Sequence, residues 1–126
     1  MIKVEKIMSM LETEYVGREI HYFQKLASTN TVAKEQAKKG AKEGTVIIAE
    51  TQTQGRGRLD RQWLSPKGGV WLSVILRLAI ATEEAPKITL ITSVAIAKTL
   101  HRLYGLKAGI KWPNDVLIGN KKVCGV

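Results

Sequence analysis

A single cysteine, Cys124, occurs among the 126 residues. That excludes an internal disulfide framework, a Cys-x-x-Cys redox pair and a thiolate zinc site, and it fits a reducing, cytoplasmic setting. Long apolar runs are missing too. Residues 70–78 and 88–100 are the most apolar stretches, but they are short or broken by Arg77, Thr89, Thr92, Ser93 and Lys98, so neither reads as a membrane span. The first fifteen residues interleave lysine and glutamate and offer no secretory signal. Aromatic residues make up only 6%, few for a module that stacks nucleic-acid bases on an open sheet. No internal repeat or low-complexity tract is present.

What the chain does have is positive charge in one region. The formal net charge is +9, from 20 Lys+Arg against 11 Asp+Glu. Residues 1–50 hold 8 basic and 7 acidic side chains, whereas residues 51–126 hold 12 and 4. The second part is built to meet an anion: nucleic acid, a membrane surface or a small phosphate-bearing molecule. Hydrophobic residues at 44% and charged residues at 25% are ordinary for one folded domain.

Val4, Ile7, Met8, Leu11 and Tyr15 recur at steps of three and four, which predicts an amphipathic helix that Gly17 ends. Residues 18–26 read as a strand. Ser28-Thr29-Asn30 supplies three consecutive N-cap residues for a helix over residues 31–39, stopped by Gly40. Residues 45–49 form an apolar, β-branched run typical of a buried strand, and residues 70–78 return to strand. Between them lies a polar loop of about twenty residues, a length that is usually functional or disordered. Pro86 opens a helix through Tyr104 with a wide apolar stripe, and Gly105 closes it. Gly119-Asn120 between two β-rich runs marks a tight hairpin. The order of elements predicts an α/β (α+β) domain with a mixed sheet and flanking helices. The chain stops inside an apolar strand at Gly125-Val126, so more protein is expected to follow.

The loop carries Gly55-Arg56-Gly57-Arg58-Leu59-Asp60-Arg61-Gln62-Trp63. Glycines let backbone N–H groups form an anion-binding nest, and Arg56, Arg58 and Arg61 add guanidinium forks for phosphate or carboxylate. The same composition also suits sequence-independent nucleic-acid contact or a solvated loop. It is neither a dinucleotide fingerprint, since Asp60 stands where a third glycine is required, nor a Walker loop. Taken alone, Ser28-Thr29-Asn30 is foremost a helix cap, Lys111-Trp112-Pro113-Asn114-Asp115 a strand-ending turn, Lys121-Lys122 an exposed hairpin tip, and Cys124 a small buried hydrophobe.

Their order is more specific. Ser28-Thr29-Asn30, then Gln52 and Gly55-Arg56-Gly57-Arg58 with Trp63, then Ser65-Pro66-Lys67-Gly68-Gly69, Lys111-Trp112-Pro113-Asn114-Asp115 and Lys122-Val123-Cys124-Gly125-Val126 resemble the catalytic domain of the biotin protein ligases from about residue 20 onward. The resemblance implies the biotin/lipoate ligase fold, similar to class II aminoacyl-tRNA synthetases. It also implies ATP-dependent conversion of biotin to biotinyl-5′-adenylate, with Mg²⁺, and transfer to a lysine of a biotin carboxyl carrier protein. Under it, Ser28, Thr29, Asn30 and Gln52 bind biotin, and Gly55, Arg56, Gly57 and Arg58 fold over biotin and the adenylate. Trp63 covers the adenine. Lys111, Asn114 and Asp115 lie near the phosphates and Mg²⁺, and Lys122 holds the biotin carboxylate and the reacting phosphate. Lys122 and Arg58 are expected to matter most.

Leu59-Asp60 departs from the family pattern and lowers the local positive charge. No winged-helix segment precedes Ser28, so repressor activity and DNA binding are not expected, and no membrane partner is. The family's further strands and C-terminal β-barrel are absent from residues 1–126, which read as one incomplete catalytic domain whose activity alone is not expected. Homodimerisation stays open. The rival reading is a module that grips nucleic-acid phosphates with its Arg/Gly loop; lipoate ligases rank lower because they lack the Gly-Arg-Gly-Arg loop.

Overall fold

The computed structural model describes residues 1–126, which form two compact units, Met1–Arg77 and Leu78–Val126. Mixed α/β architecture is as expected, but the strands divide into two three-stranded sheets.

In the first unit the order is α1 (Val4–Met10), β1 (Ile20–Leu26), α2 (Thr29–Lys38), β2 (Val46–Gln52) and β3 (Trp71–Val74). β1 and β2 run parallel from Ile20↔Val46 to Leu26↔Gln52, joined through α2, while β3 is antiparallel to β2 with Ile47 opposite Ser73. Parallel pairing requires such a crossover. Ala33 of α2 packs with Ile47 and Ile75 to form the core, bordered by Phe23, Leu26 and Val32. Ile47 is fully buried, and burying such a side chain contributes about 1.5–3 kcal/mol.

α1 is shorter than its apolar spacing predicts. Leu11 has extended backbone, and the chain after it is held by the Thr13 hydroxyl donating to Val16 O and by the Arg18 guanidinium donating to Thr13 O. Such local bonds compete with helical ones. This N-terminal segment is pinned at both ends. Ile2 N–H donates to Glu50 Oε1 at 2.7 Å, and Gly17 N–H donates to Gly44 O at 2.8 Å. Gly44 has φ +82°, and a Cβ there would run into the Tyr15 carbonyl, so only glycine fits.

The second unit contains α3 (Ala85–Tyr104) and the meander β4 (Ala108–Lys111), β5 (Asp115–Ile118) and β6 (Lys121–Gly125). Pro86 sits in the first turn of α3, and Gly105 ends it in the left-handed region, its N–H donating to His101 O at 2.8 Å. The apolar stripe is only partly covered: Ser93 alone is fully buried, while Ile91 and Leu103 are exposed. The predicted Gly119-Asn120 hairpin joins β5 to β6. No helix is long and apolar enough to cross a membrane.

Candidate functional site

Because β1 and β2 are parallel, their carboxyl ends lie side by side, and the α2 N-terminus rises directly after β1. Ligands of α/β sheets bind at strand carboxyl ends, and a helix N-terminus favours the negative part of a ligand. The biotin residues named from the sequence gather here. Gln52, the last residue of β2, accepts Thr29 N–H at 2.8 Å on Oε1, which also lies 3.1 Å from Thr29 Oγ1, and its Nε2 donates to Ser65 Oγ at 2.9 Å. Ser28 occupies the N-cap with φ −156°, yet its side chain makes no capping hydrogen bond. The reading of Ser28 as the helix cap holds for its position, but not for its side chain. Its hydroxyl, on a buried residue, is left for another partner.

The polar segment after β2 is not structureless. Thr53 N–H donates to Leu26 O and Gln54 N–H to Ala27 O, sewing its first leg to the chain just before Ser28. Its two legs pair through Gln52↔Ser65 and Arg56↔Gln62, with Trp63 N–H donating to Gly55 O at 2.8 Å and Gly57 N–H to Arg61 O at 2.7 Å. One turn of 3-10 helix, Arg58–Asp60, forms the tip, where Leu59 and Asp60 both take positive φ. Thus Gly55, Arg56 and Gly57 climb one leg of a ribbon, Arg58 opens its tip and Trp63 descends the other leg. Arg56 Nη1 lies 4.0 Å from Asp60 Oδ1, both side chains largely exposed, so this pair holds the ribbon weakly. A concavity beside the first leg is lined by Thr53, Gln54, Gly55, Arg56, Asp60 and Gln62.

Two residues were given no role by sequence reasoning, although Ser65 stood in a quoted motif. Ser65 is buried and fixes the Gln52 amide. Ser73, buried on β3, lies 2.9 Å from Thr29 Oγ1 and 2.6 Å from Asn30 Oδ1. The available signal was a lone hydroxyl in the apolar run 70–78.

The remaining named residues lie in the second unit. Register places Lys111 directly opposite Asp115, and Lys122 opposite Leu117. Lys111, Asp115 and Lys122 therefore share one face of the meander. Lys122 Nζ is 2.8 Å from Asp115 Oδ1, a buried oxygen with no other hydrogen-bond donor. Asn114 Nδ2 donates to Val126 O at 3.2 Å, and the Trp112–Pro113 peptide preceding it is cis. Cys124 is half-buried; burial pushes its thiol pKa up, an effect opposed by Lys122 and reinforced by Asp115. For Mg²⁺, no three His, Cys, Asp or Glu side chains cluster as ligands. Asp115 supplies one carboxylate, a donor set that fits an ion carried mainly on substrate phosphates.

A helix N-terminus and a glycine–arginine ribbon stand together at the carboxyl ends of parallel strands in an α/β unit. The profile of the biotin/lipoate A/B protein ligase family matches residues 22–126, and the chain belongs to that family. It is 44% identical over 117 residues to the bifunctional ligase/repressor BirA of Bacillus subtilis strain 168, covering 92% of this chain and 36% of that protein. To the Escherichia coli K12 protein of the same name it is 37% identical over 86 residues, covering 68% and 27%. The solved Aquifex aeolicus biotin protein ligase in complex with biotin and ATP superposes with a TM-score of 0.71 at 30% identity, over 83% of this chain and 44% of that one. The chain thus spans about a third of the length of these curated relatives.

Proposed function

We propose that the chain carries the biotin and ATP contacts of a biotin protein ligase. The observation that carries this reading is the uncapped Ser28 hydroxyl beside the Thr29–Gln52–Ser65 cluster, at the mouth of the Gly-Arg-Gly-Arg ribbon. A cyclic urea needs both donors and acceptors at close quarters, and this corner has both. The solved Aquifex relative is described as binding biotin and ATP, which agrees with it.

In the first step a biotin carboxylate oxygen attacks the α-phosphate of ATP; the new C–O–P linkage forms as the bond to pyrophosphate breaks. In the second, the amine of a lysine on a biotin carboxyl carrier protein attacks the acyl carbon and AMP leaves. The carboxylate is already ionised at neutral pH, so step one needs no general base. Its obstacle is repulsion. Two like charges about 4 Å apart cost about 4 kcal/mol at an effective dielectric near 20, roughly three powers of ten in rate. Cations must offset it: Arg56 and Arg58 are the candidates in the first unit, and Lys111 and Lys122 those in the second. Lys122 holds the carboxylate and the reacting phosphate, with Asp115 steadying its ammonium. Trp63 covers the adenine; Asn114 and Asp115 would hold Mg²⁺, which would neutralise phosphate charge. The enzyme works in the cytoplasm.

Titration calorimetry and thermal shift with biotin, ATP, both, lipoate and duplex DNA test the reading. Biotin at about 100 times its Kd is expected to stabilise the protein by about 2.7 kcal/mol. Arg58→Ala is expected to reduce the response. Binding of DNA with a steep salt slope and no response to biotin overturns the proposal.

A further inference from the structure

We propose that Ser73 is a positioning residue that sets the donor and acceptor order of the ring-binding corner; this deepens, and rests on, the reading of that corner as a biotin site. Ser73 stands opposite Ile47, between the core residues Ile47 and Ile75. An apolar residue would suit that register, and a hydroxyl in it is costly unless hydrogen-bonded. Ser73 is 9% exposed and meets two partners, Thr29 Oγ1 and Asn30 Oδ1.

Proton bookkeeping then leaves one arrangement that serves every oxygen. Asn30 Oδ1 has no proton, so the 2.6 Å contact takes the single Ser73 proton. Ser73 Oγ in turn accepts from the Thr29 hydroxyl, 2.9 Å away. Gln52 Oε1 still keeps the Thr29 N–H at 2.8 Å. With Oδ1 tied inward, the Asn30 amide turns Nδ2 toward its exposed side. Gln52 Nε2, having given one proton to Ser65, retains a second. The corner therefore offers N–H donors to a ring carbonyl oxygen, while Ser28 Oγ remains as an acceptor for a ring N–H.

The test compares biotin with 2-iminobiotin, in which a C=N–H donor replaces the carbonyl acceptor. In the wild-type chain biotin is expected to bind more tightly. In Ser73→Ala the Asn30 amide is free to turn over, and the ratio of the two dissociation constants is expected to fall about five-fold, the size of one hydrogen bond. Ser73→Thr, which keeps the hydroxyl, is expected to restore it. Ser73→Cys, close in volume but a weak donor, is expected to follow Ser73→Ala, so the test survives a folding failure of either other variant. A ratio unchanged in Ser73→Ala or Ser73→Cys, even with a lower Tm, overturns the positioning role. Failure of the wild-type chain to bind biotin would instead overturn the ligand reading itself.

Discussion

The two glycines of Gly55-Arg56-Gly57-Arg58 look equivalent in sequence, and the structure makes them opposites. Neither takes positive φ, so alanine is conformationally allowed at both. At Gly55 an added Cβ would lie 2.6 Å from Ser65 Oγ, 3.1 Å from Gln52 Nε2 and closest of all to the Trp63 carbonyl oxygen. At Gly57 the nearest atom is Arg61 O at 3.6 Å, an ordinary contact. Reaching 3.4 Å from Ser65 Oγ demands a shift of roughly 0.8 Å in a ribbon whose legs are tied by Trp63 N–H to Gly55 O at 2.8 Å. Overpacking of this kind costs about 1–3 kcal/mol, and loss of the tie adds about 0.5–1.5 kcal/mol. Gly55→Ala is therefore expected to lower Tm by roughly 6–18 °C at about 4 °C per kcal/mol, and to weaken biotin binding because Gln52 and Ser65 are displaced. Gly57→Ala is expected to stay within about 2 °C of wild type, or to gain slightly from reduced unfolded-state entropy. Thermal denaturation without ligand decides the matter. A Gly55→Ala protein with wild-type Tm and biotin affinity, or equal damage at Gly57, would refute the steric reasoning.

Glu50 has its carboxyl pKa lowered first by the Ile2 N–H and then by the Tyr22 hydroxyl at 3.0 Å. A lowered folded pKa stabilises above the unfolded carboxylate value and is lost as pH falls through the folded one. Glu50→Gln should thus reduce Tm at pH 7 and flatten its decline between pH 5 and 3, both read by calorimetry across pH; an unchanged slope would show that the N-terminal strap is not held this way. Leu59, 84% exposed at φ +55°, carries left-handed strain of about 1–2 kcal/mol, so Leu59→Gly is expected to leave Tm unchanged or raised, and a fall of several degrees would contradict the tip geometry. Protease cleavage within residues 53–66 should slow when biotin and ATP are both present, and unchanged cleavage would argue against closure of the ribbon over ligand. Alkylation of Cys124 should be slow at neutral pH; its pH–rate midpoint should rise in Lys122→Gln and fall in Asp115→Asn, and midpoints that do not move would place the thiol away from that pair.

How far the site was legible differs between its parts. Helix α2 and strand β2 followed from the Ser28-Thr29-Asn30 cap pattern and the apolar run 45–49, because caps and buried strands are local signals. The ribbon did not. Its polar composition resembles a disordered loop, and what orders it is non-local: Gln54 to Ala27, Gln52 to Ser65, Trp63 to Gly55. Ser28 was legible as the N-cap residue of α2, but a local pattern cannot report that its hydroxyl makes no bond to the helix. Helix α1 failed in the opposite way, its apolar spacing continuing past Met10 while Thr13 and Arg18 bound the backbone elsewhere.

The hairpin in the second unit shows how a single irregularity completes a site that turn chemistry only begins. Counting outward from Gly119-Asn120 pairs Ile118 with Lys121 and Leu117 with Lys122, so Lys122 reaches the face of Asp115 from the turn alone. Continued regularly, the ladder would set Val123 opposite Val116 and Cys124 opposite Asp115. The register instead shifts between Val116 and Leu117, so that Cys124 pairs with Val116 and Gly125 with Asp115. One extra residue thereby turns the thiol toward the face of the fully buried Val116 and puts a residue with no side chain across from Asp115. The space is taken by the Lys122 ammonium, 2.8 Å from the buried carboxylate oxygen. Lys122→Ala is therefore an ambiguous probe, because it strands a buried acceptor at a cost of about 1–3 kcal/mol as well as removing a cation from the proposed ligand site. Lys122→Gln, paired with Asp115→Asn in a double-mutant cycle, separates the part of Lys122 that holds the meander from the part that meets an anion.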